Sequence, residues 1–154
     1  MTRALPDEET ERRLAADCFN RTWTLMEMEA RSAAEDDEMI HFAHASAYHW
    51  AQVGTAVNRA RGEWQCSRVY ALLGRAEPAL AHARRCLELV EANPAETESW
   101  DLPAAYEALA RAHSVAGDSG EAARHVALGR EALAAVEDEE DRAHIAADLA
   151  SVQT

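Results

Sequence analysis

The sequence predicts an all-α fold of about seven helices, on three observations. The chain holds only six Gly and four Pro, and the residues that dominate it, Ala, Leu, Glu and Arg, are strong helix formers. Apolar residues recur at helical spacing, and no stretch alternates apolar and polar residues as a half-buried strand does. Two glycines, Gly74 and Gly117, stand at equivalent points of an internal repeat of 43 residues. A chain of 154 residues fits one domain, 1–154. A domain of this size buries roughly 70% of the surface its unfolded chain exposes, so it needs no metal or disulfide to hold together.

The elements follow in order. Pro6-Asp7-Glu8-Glu9 starts the first helix, with carboxylates set against the positive end of the helix dipole. This helix is predicted to run to about Ser32, with Leu14, Cys18, Phe19, Thr22, Leu25 and Met26 as its apolar stripe. Asp36-Asp37-Glu38 opens a second helix, about Glu35 to Val53, spaced by Met39, Ile40, Ala43, Ala47, Trp50 and Ala51. A third runs from Val57 or Arg61 to Leu73 and is closed by Gly74, and a fourth runs from about Glu77 to Ala92, where Asn93-Pro94 breaks it. Past the loop at Asp101-Leu102-Pro103 a fifth helix ends near Ala116. Gly117-Asp118 turns the chain into a sixth, about Ser119 to Val136. The acidic run Glu137–Asp141 starts a seventh, which carries Ile145, Leu149 and Val152.

The repeat has a physical logic. Five residues after the two glycines lie Ala79 and Ala122, and nine after lie Ala83 and Val126. Four before lie Tyr70 and His113, seven before the small Ser67 and Ala110, and eight before the apolar Cys66 and Leu109. Glycine permits a tight turn, and small residues let two helices approach closely. A weaker third copy is read with a turn near Ala33–Glu35, followed by Met39 and Ala43.

The segment Trp64–Leu89, with its aromatic, tyrosine, turn glycine, Ala79 and Leu87, resembles the tetratricopeptide-repeat (TPR) pattern, and Tyr106–Leu133 is a looser copy. The period of 43 residues exceeds the family's, which is about 34, so the helices or connectors are longer. The resemblance implies a right-handed stack of antiparallel α-hairpins. Residues 1–55 would form a long capping hairpin, 56–136 two TPR-like hairpins, and 137–154 a C-terminal capping helix. In that family the first helix of each hairpin lines a concave groove. Arg61, Trp64, Gln65 and Arg68 would then face the groove from one hairpin, and Glu107 and Arg111 from the next. Arginine pairs bidentately with carboxylates, so the expected partner is an unknown protein or peptide offering an acidic segment or a C-terminus. On that expectation Arg68 and Arg111 are surface cations, and removing their charge leaves stability within about 0.5 kcal/mol.

Charge and cysteines narrow the function classes. The formal net charge is −13, and all fifteen basic residues are Arg. The charge argues against nucleic acid and against an anionic membrane surface. The lack of Lys excludes lysine Schiff-base chemistry and a P-loop. Arg59 to Arg85 holds six Arg against Glu63 and Glu77, a local excess of positive charge. Cys18, Cys66 and Cys86 match no zinc spacing and read as reduced, buried thiols of a cytoplasmic protein. Met1 to Glu11 is acid-rich with no apolar core, unlike a signal peptide. No phosphate loop, nucleophile elbow or HExxH motif is present, which favours a non-enzymatic binding module with no cofactor.

Two alternatives come from other features. His41, His44 and His49 share one predicted helix, and Glu38 precedes His41 at the Glu-x-x-His spacing of di-iron bundles. They define an alternative metal-binding helical bundle, with or without enzymatic activity, with Glu38, His41, His44 and His49 as ligands. A structural homodimer subunit using an exposed helix face is the second alternative. His82 and His125 sit eight residues after the two turn glycines, and that equivalence assigns them to packing. Trp100, in the loop beside Asp101, either folds back over the helices or stands as an exposed anchor.

Overall fold

A computed structural model describes residues 4–154. Met1–Arg3, the head of the acid-rich N-terminal stretch, lie outside the described residues. The described residues form seven α-helices and no strand. They are α1 (Glu8–Met26), α2 (Ala33–Val53), α3 (Ala56–Leu72), α4 (Ala76–Ala92), α5 (Asp101–Val115), α6 (Ser119–Ala132) and α7 (Glu139–Ala150), with a 3-10 turn at Leu133–Ala135 after α6.

Successive helices pair as α1/α2, α3/α4 and α5/α6. The odd-numbered helices also touch in series: α1 on α3, α3 on α5, and α5 on α7. A stack of hairpins therefore presents one continuous layer of odd-numbered helices. No helix is long and apolar enough to cross a membrane among the described residues.

Gly74 and Gly117 make the repeat turns. Both have left-handed backbone, with φ of 72° and 79°. In each case the N–H of the glycine and that of the next residue close back on the preceding helix. Gly74 N donates to Ala71 O and Arg75 N to Tyr70 O, and Gly117 N donates to Ser114 O and Asp118 N to His113 O. This is the Schellman arrangement, which satisfies helix-end carbonyls and needs a residue at ease with positive φ. The repeat continues into the core. Buried Ala60, Gly62, Gln65, Cys66, Ser67 and Val69 of α3 recur 43 residues later as buried Pro103, Ala105, Ala108, Leu109, Ala110 and Ala112 of α5. Ala79 and Ala122 are fully buried at the crossings, and Ser67 Oγ donates to Ala79 O at 2.9 Å.

The first hairpin departs from expectation. α1 stops at Met26 rather than near Ser32, because Arg31 folds back over its end. Arg31 Nη1 donates to Leu25 O and Met28 O, and its Nε pairs with Asp36 at 2.7 Å. Ser32 then caps α2 in a capping box with Glu35. The turn therefore lies before Ala33, and Ala33–Glu35 forms the first turn of α2. Buried Met39, Ala43 and Ser46 precede Ala79, Ala83 and Cys86 by 40 residues rather than 43, so α2 carries about one extra turn at its start.

The last helix closes the other end. Asp138 caps α7 by accepting from Asp141 N at 2.9 Å. Ile145 and Leu149 pack with Leu133, Val136 and Trp100. Gly129 makes room for this contact: a Cβ there would meet Leu149 Cδ2 at 2.8 Å.

Candidate functional site: an aromatic pocket over a buried ion network

Four helices of the odd layer, with Cys86 and Val90 of α4 behind them, line a pocket of about 270 Å³. α1 contributes Phe19 and Trp23, and α3 contributes Ala60, Arg61 and Trp64. Asp101, Ala104 and Glu107 come from α5, with Trp100 just ahead of it, and His144, Ile145 and Asp148 come from α7. The walls are mainly apolar. Trp23 and Trp64 meet across the α1/α3 contact at 5.7 Å between ring centroids. Trp64 Nε1 is buried with no hydrogen-bond partner among the described residues.

Two carboxylates sit beneath this pocket. Asp101 and Glu107 are buried, at 4% and 1% exposure. Arg61 meets Asp101 bidentately, Nε to Oδ1 at 3.0 Å and Nη2 to Oδ2 at 3.1 Å. The same guanidinium lies 4.2 Å from the Trp100 ring centre, a cation–π stack. Asp101 Oδ2 also accepts from Glu98 N at 2.8 Å, which ties the preceding loop to the helix start. Arg68 and Arg111 converge on one oxygen, Glu107 Oε1, at 2.7 and 2.6 Å. Arg111 reaches on to Asp148 O and Ser151 Oγ of the C-terminal segment.

These contacts relocate the expected groove residues. Arg61, Trp64 and Glu107 do line one pocket. Arg68 and Arg111 lie side by side on adjacent hairpins, but they hold the chain's own Glu107 rather than standing free for a partner's carboxylate. Gln65 is fully buried, donating Nε2–H to Phe19 O at 3.1 Å. The physical reason is that α7 and the buried acids of α5 occupy the level at which a partner's acidic group would lie. Trp100 folds back against the helices. Phe19, Trp23, His144 and Asp148 went unremarked as site residues, since only the tertiary fold brings them near Trp64.

The four metal candidates do not converge. Glu38 is 3.9 Å from Arg21, His41 is exposed, His44 Nε2 lies 2.7 Å from Tyr70 Oη, and His49 Nδ1 meets Glu11 at 2.5 Å. His82 and His125 occupy equivalent places inside their hairpins. His82 stacks on Tyr70 and His125 on His113, at 5.7 and 5.1 Å between centroids. Burial pushes the Cys66 thiol up to about 12 and raises Cys86 as well. Burial also lowers the His44 and His113 pKa values. Large exposed apolar side chains are Leu5, Tyr48 and Leu72, from three separate segments. In comparison with known proteins, no family model matches the chain, and no curated protein is significantly similar to it.

Proposed function

We propose that the protein is a non-enzymatic, TPR-like binding module that captures a protein or peptide segment through one apolar anchor side chain. The anchor enters the tryptophan-lined pocket between α1, α3, α5 and α7. The observation that carries this reading is the pocket itself, whose walls are mainly apolar and carry the three tryptophans Trp23, Trp64 and Trp100. A pocket of about 270 Å³ lies just below the usual range of small-molecule sites, roughly 300–1,000 Å³. That size suits one anchor better than a whole cofactor. Arg61, Arg68 and Arg111 then shape the floor and walls through Asp101 and Glu107 rather than reading the partner's charge.

The test is selection of a random displayed peptide library on the full chain, followed by affinity measurement on Ala104→Phe. Ala104 is half-buried in the pocket wall, so the larger ring fills the space. Selected peptides should share an apolar anchor and bind Ala104→Phe at least tenfold more weakly, with the variant's helical content unchanged. Equal binding to both proteins, or a selected set without an apolar anchor, refutes the reading.

A further inference from the structure

A second cluster of chemically capable side chains lies away from the tryptophan pocket, where α2, α3 and α4 meet. His44 comes from α2, Cys66 from α3 and His82 from α4, and one potential ligand atom from each lies within 4.8 Å of the other two. Tetrahedral zinc with bonds of about 2.0–2.3 Å to nitrogen and sulfur places its ligand atoms roughly 3.3–3.6 Å apart. Contraction by about 1 Å is within the reach of side-chain rotation about χ1 and χ2.

Three further observations favour a built site. His82 Nδ1 is 2.5 Å from Glu63 Oε2. A carboxylate there accepts the Nδ1 proton and leaves the Nε2 lone pair free, the outer-shell device that orients metal-binding histidines. The His44 and His82 rings meet edge-on, at 62° and 5.2 Å, so their lone pairs lie in different planes and can converge. Cys66 forms a fully buried floor, while His44 is exposed and gives a solvent side for entry.

The other cluster of this kind, His113, Glu121 and His125, shares a held ring nitrogen, His125 Nδ1 on Glu121 O at 2.8 Å, but it has no thiol. Its two rings are nearly parallel, at 15°, so their in-plane lone pairs do not point at one atom between them.

The geometry points to a zinc site made by His44, Cys66 and His82, with Glu63 behind His82 and a fourth position left to water. Thiolate with imidazole selects zinc over magnesium or calcium. Three protein ligands are the pattern of open rather than closed zinc sites. Binding deprotonates Cys66, and the proton leaves to solvent. Arg85 is the nearby opposing charge, 3.9 Å from the Glu63 carboxylate. The Cys66 thiolate and Glu63 together outweigh it. Tyr70 Oη, against His44 Nε2, brings a hydroxyl to the edge of the site.

The experiment is titration of the untagged full chain with Co²⁺ and then Zn²⁺, read in the ultraviolet and visible. One equivalent of Co²⁺ should give a thiolate-to-cobalt charge-transfer band that one equivalent of Zn²⁺ removes. Cys66→Ala and His44→Ala should both lose the band. The second is the safer variant, because His44 is exposed and its loss leaves no core cavity. Glu63→Gln should keep the band but bind about 10–100-fold more weakly. His125→Ala and Cys18→Ser should behave as wild type. So should Ala104→Phe, which separates this site from the proposed peptide pocket. Absence of a thiolate band in the wild type, or its survival in a folded His44→Ala, overturns the assignment. Cobalt bound without that band overturns it too, because the ion then sits on a site without Cys66.

Discussion

Glu107 should behave as a buried carboxylate that needs a cation, and a double-mutant cycle on Arg68 and Arg111 tests this quantitatively. Its side chain is 2% exposed, and both guanidinium groups meet one of its oxygens. The two arginine side chains are themselves only 21% and 19% exposed, so solvent screening is modest. Methionine is the useful replacement, because it keeps most of the apolar stem and removes the guanidinium with its charge and donors. Each single change leaves the other guanidinium in place. That sets the loss for Arg68→Met near 1.5 kcal/mol, the low end for a hydrogen bond to a charged group, with Arg111→Met at or above it because Arg111 also holds Asp148 O and Ser151 Oγ. The double change strands the carboxylate, for which about 3–5 kcal/mol is expected. The double variant then loses up to about 2 kcal/mol more than the sum of the singles. In a chain of this size that total lowers the melting temperature by roughly 6–20 °C. Adding Glu107→Leu to the double variant should recover most of the loss, since a buried ion network replaced by apolar residues is often neutral. Urea unfolding followed by circular dichroism measures all five proteins. A double variant within about 0.5 kcal/mol of wild type, the range of ordinary surface changes, would refute the buried network and return these arginines to the surface role expected from sequence.

Four further outcomes are expected. Ala79→Leu and Ala122→Leu, both at fully buried crossings, should each destabilise by about 1–3 kcal/mol through overpacking; unchanged urea midpoints would place them elsewhere. Gly74→Ala and Gly117→Ala should cost about 1–2 kcal/mol because of their positive φ, although a Cβ at either has nothing within 4 Å. Gly120→Ala, in the first turn of α6 with only Asp118 Oδ1 near, should instead stabilise by about 0.4–1 kcal/mol. In the native apo protein Cys66 and Cys86 should label slowly with a thiol reagent at neutral pH, because both are buried and burial holds them protonated. Labelling as fast as in urea would contradict that burial.

The parts of the fold set by local chemistry were legible. Gly74 and Gly117 carry the turn signal in their own backbone freedom, and the small residues around them mark the helix crossings. The end of α1 was not, because Glu27–Arg31 has ordinary helix propensity. What stops the helix is Arg31 turning back on its carbonyls, a contact that propensity does not register. The signal that was available is Ser32 with Glu35, a capping box whose two ends lie three positions apart. At the site, periodicity put Arg68 and Arg111 at the same level of adjacent hairpins. It could not reveal that Glu107, lying between them, is buried and takes both charges. Asp101 read as a loop residue, yet it is a buried helix-start carboxylate, since its partner Arg61 lies 40 residues away. Histidine spacing along one helix likewise suggested a shared site, whereas His44 and His49 project toward different helices.

The two ion pairs from α3 to α5 change how the molecule comes apart. In a linear array of hairpins, each unit contacts only its neighbours, and end units can melt alone when the coupling between units is weak. Here Arg61–Asp101 and Arg68–Glu107 stitch the second hairpin to the third, and Arg111 extends the stitch to the C-terminal segment. Releasing the third hairpin therefore strips both arginines of their partners and opens the Trp64 wall at the same moment. The middle and the end of the stack are bound into one cooperative unit. Backbone amides in α3 and α5 should then share a single opening free energy in hydrogen exchange.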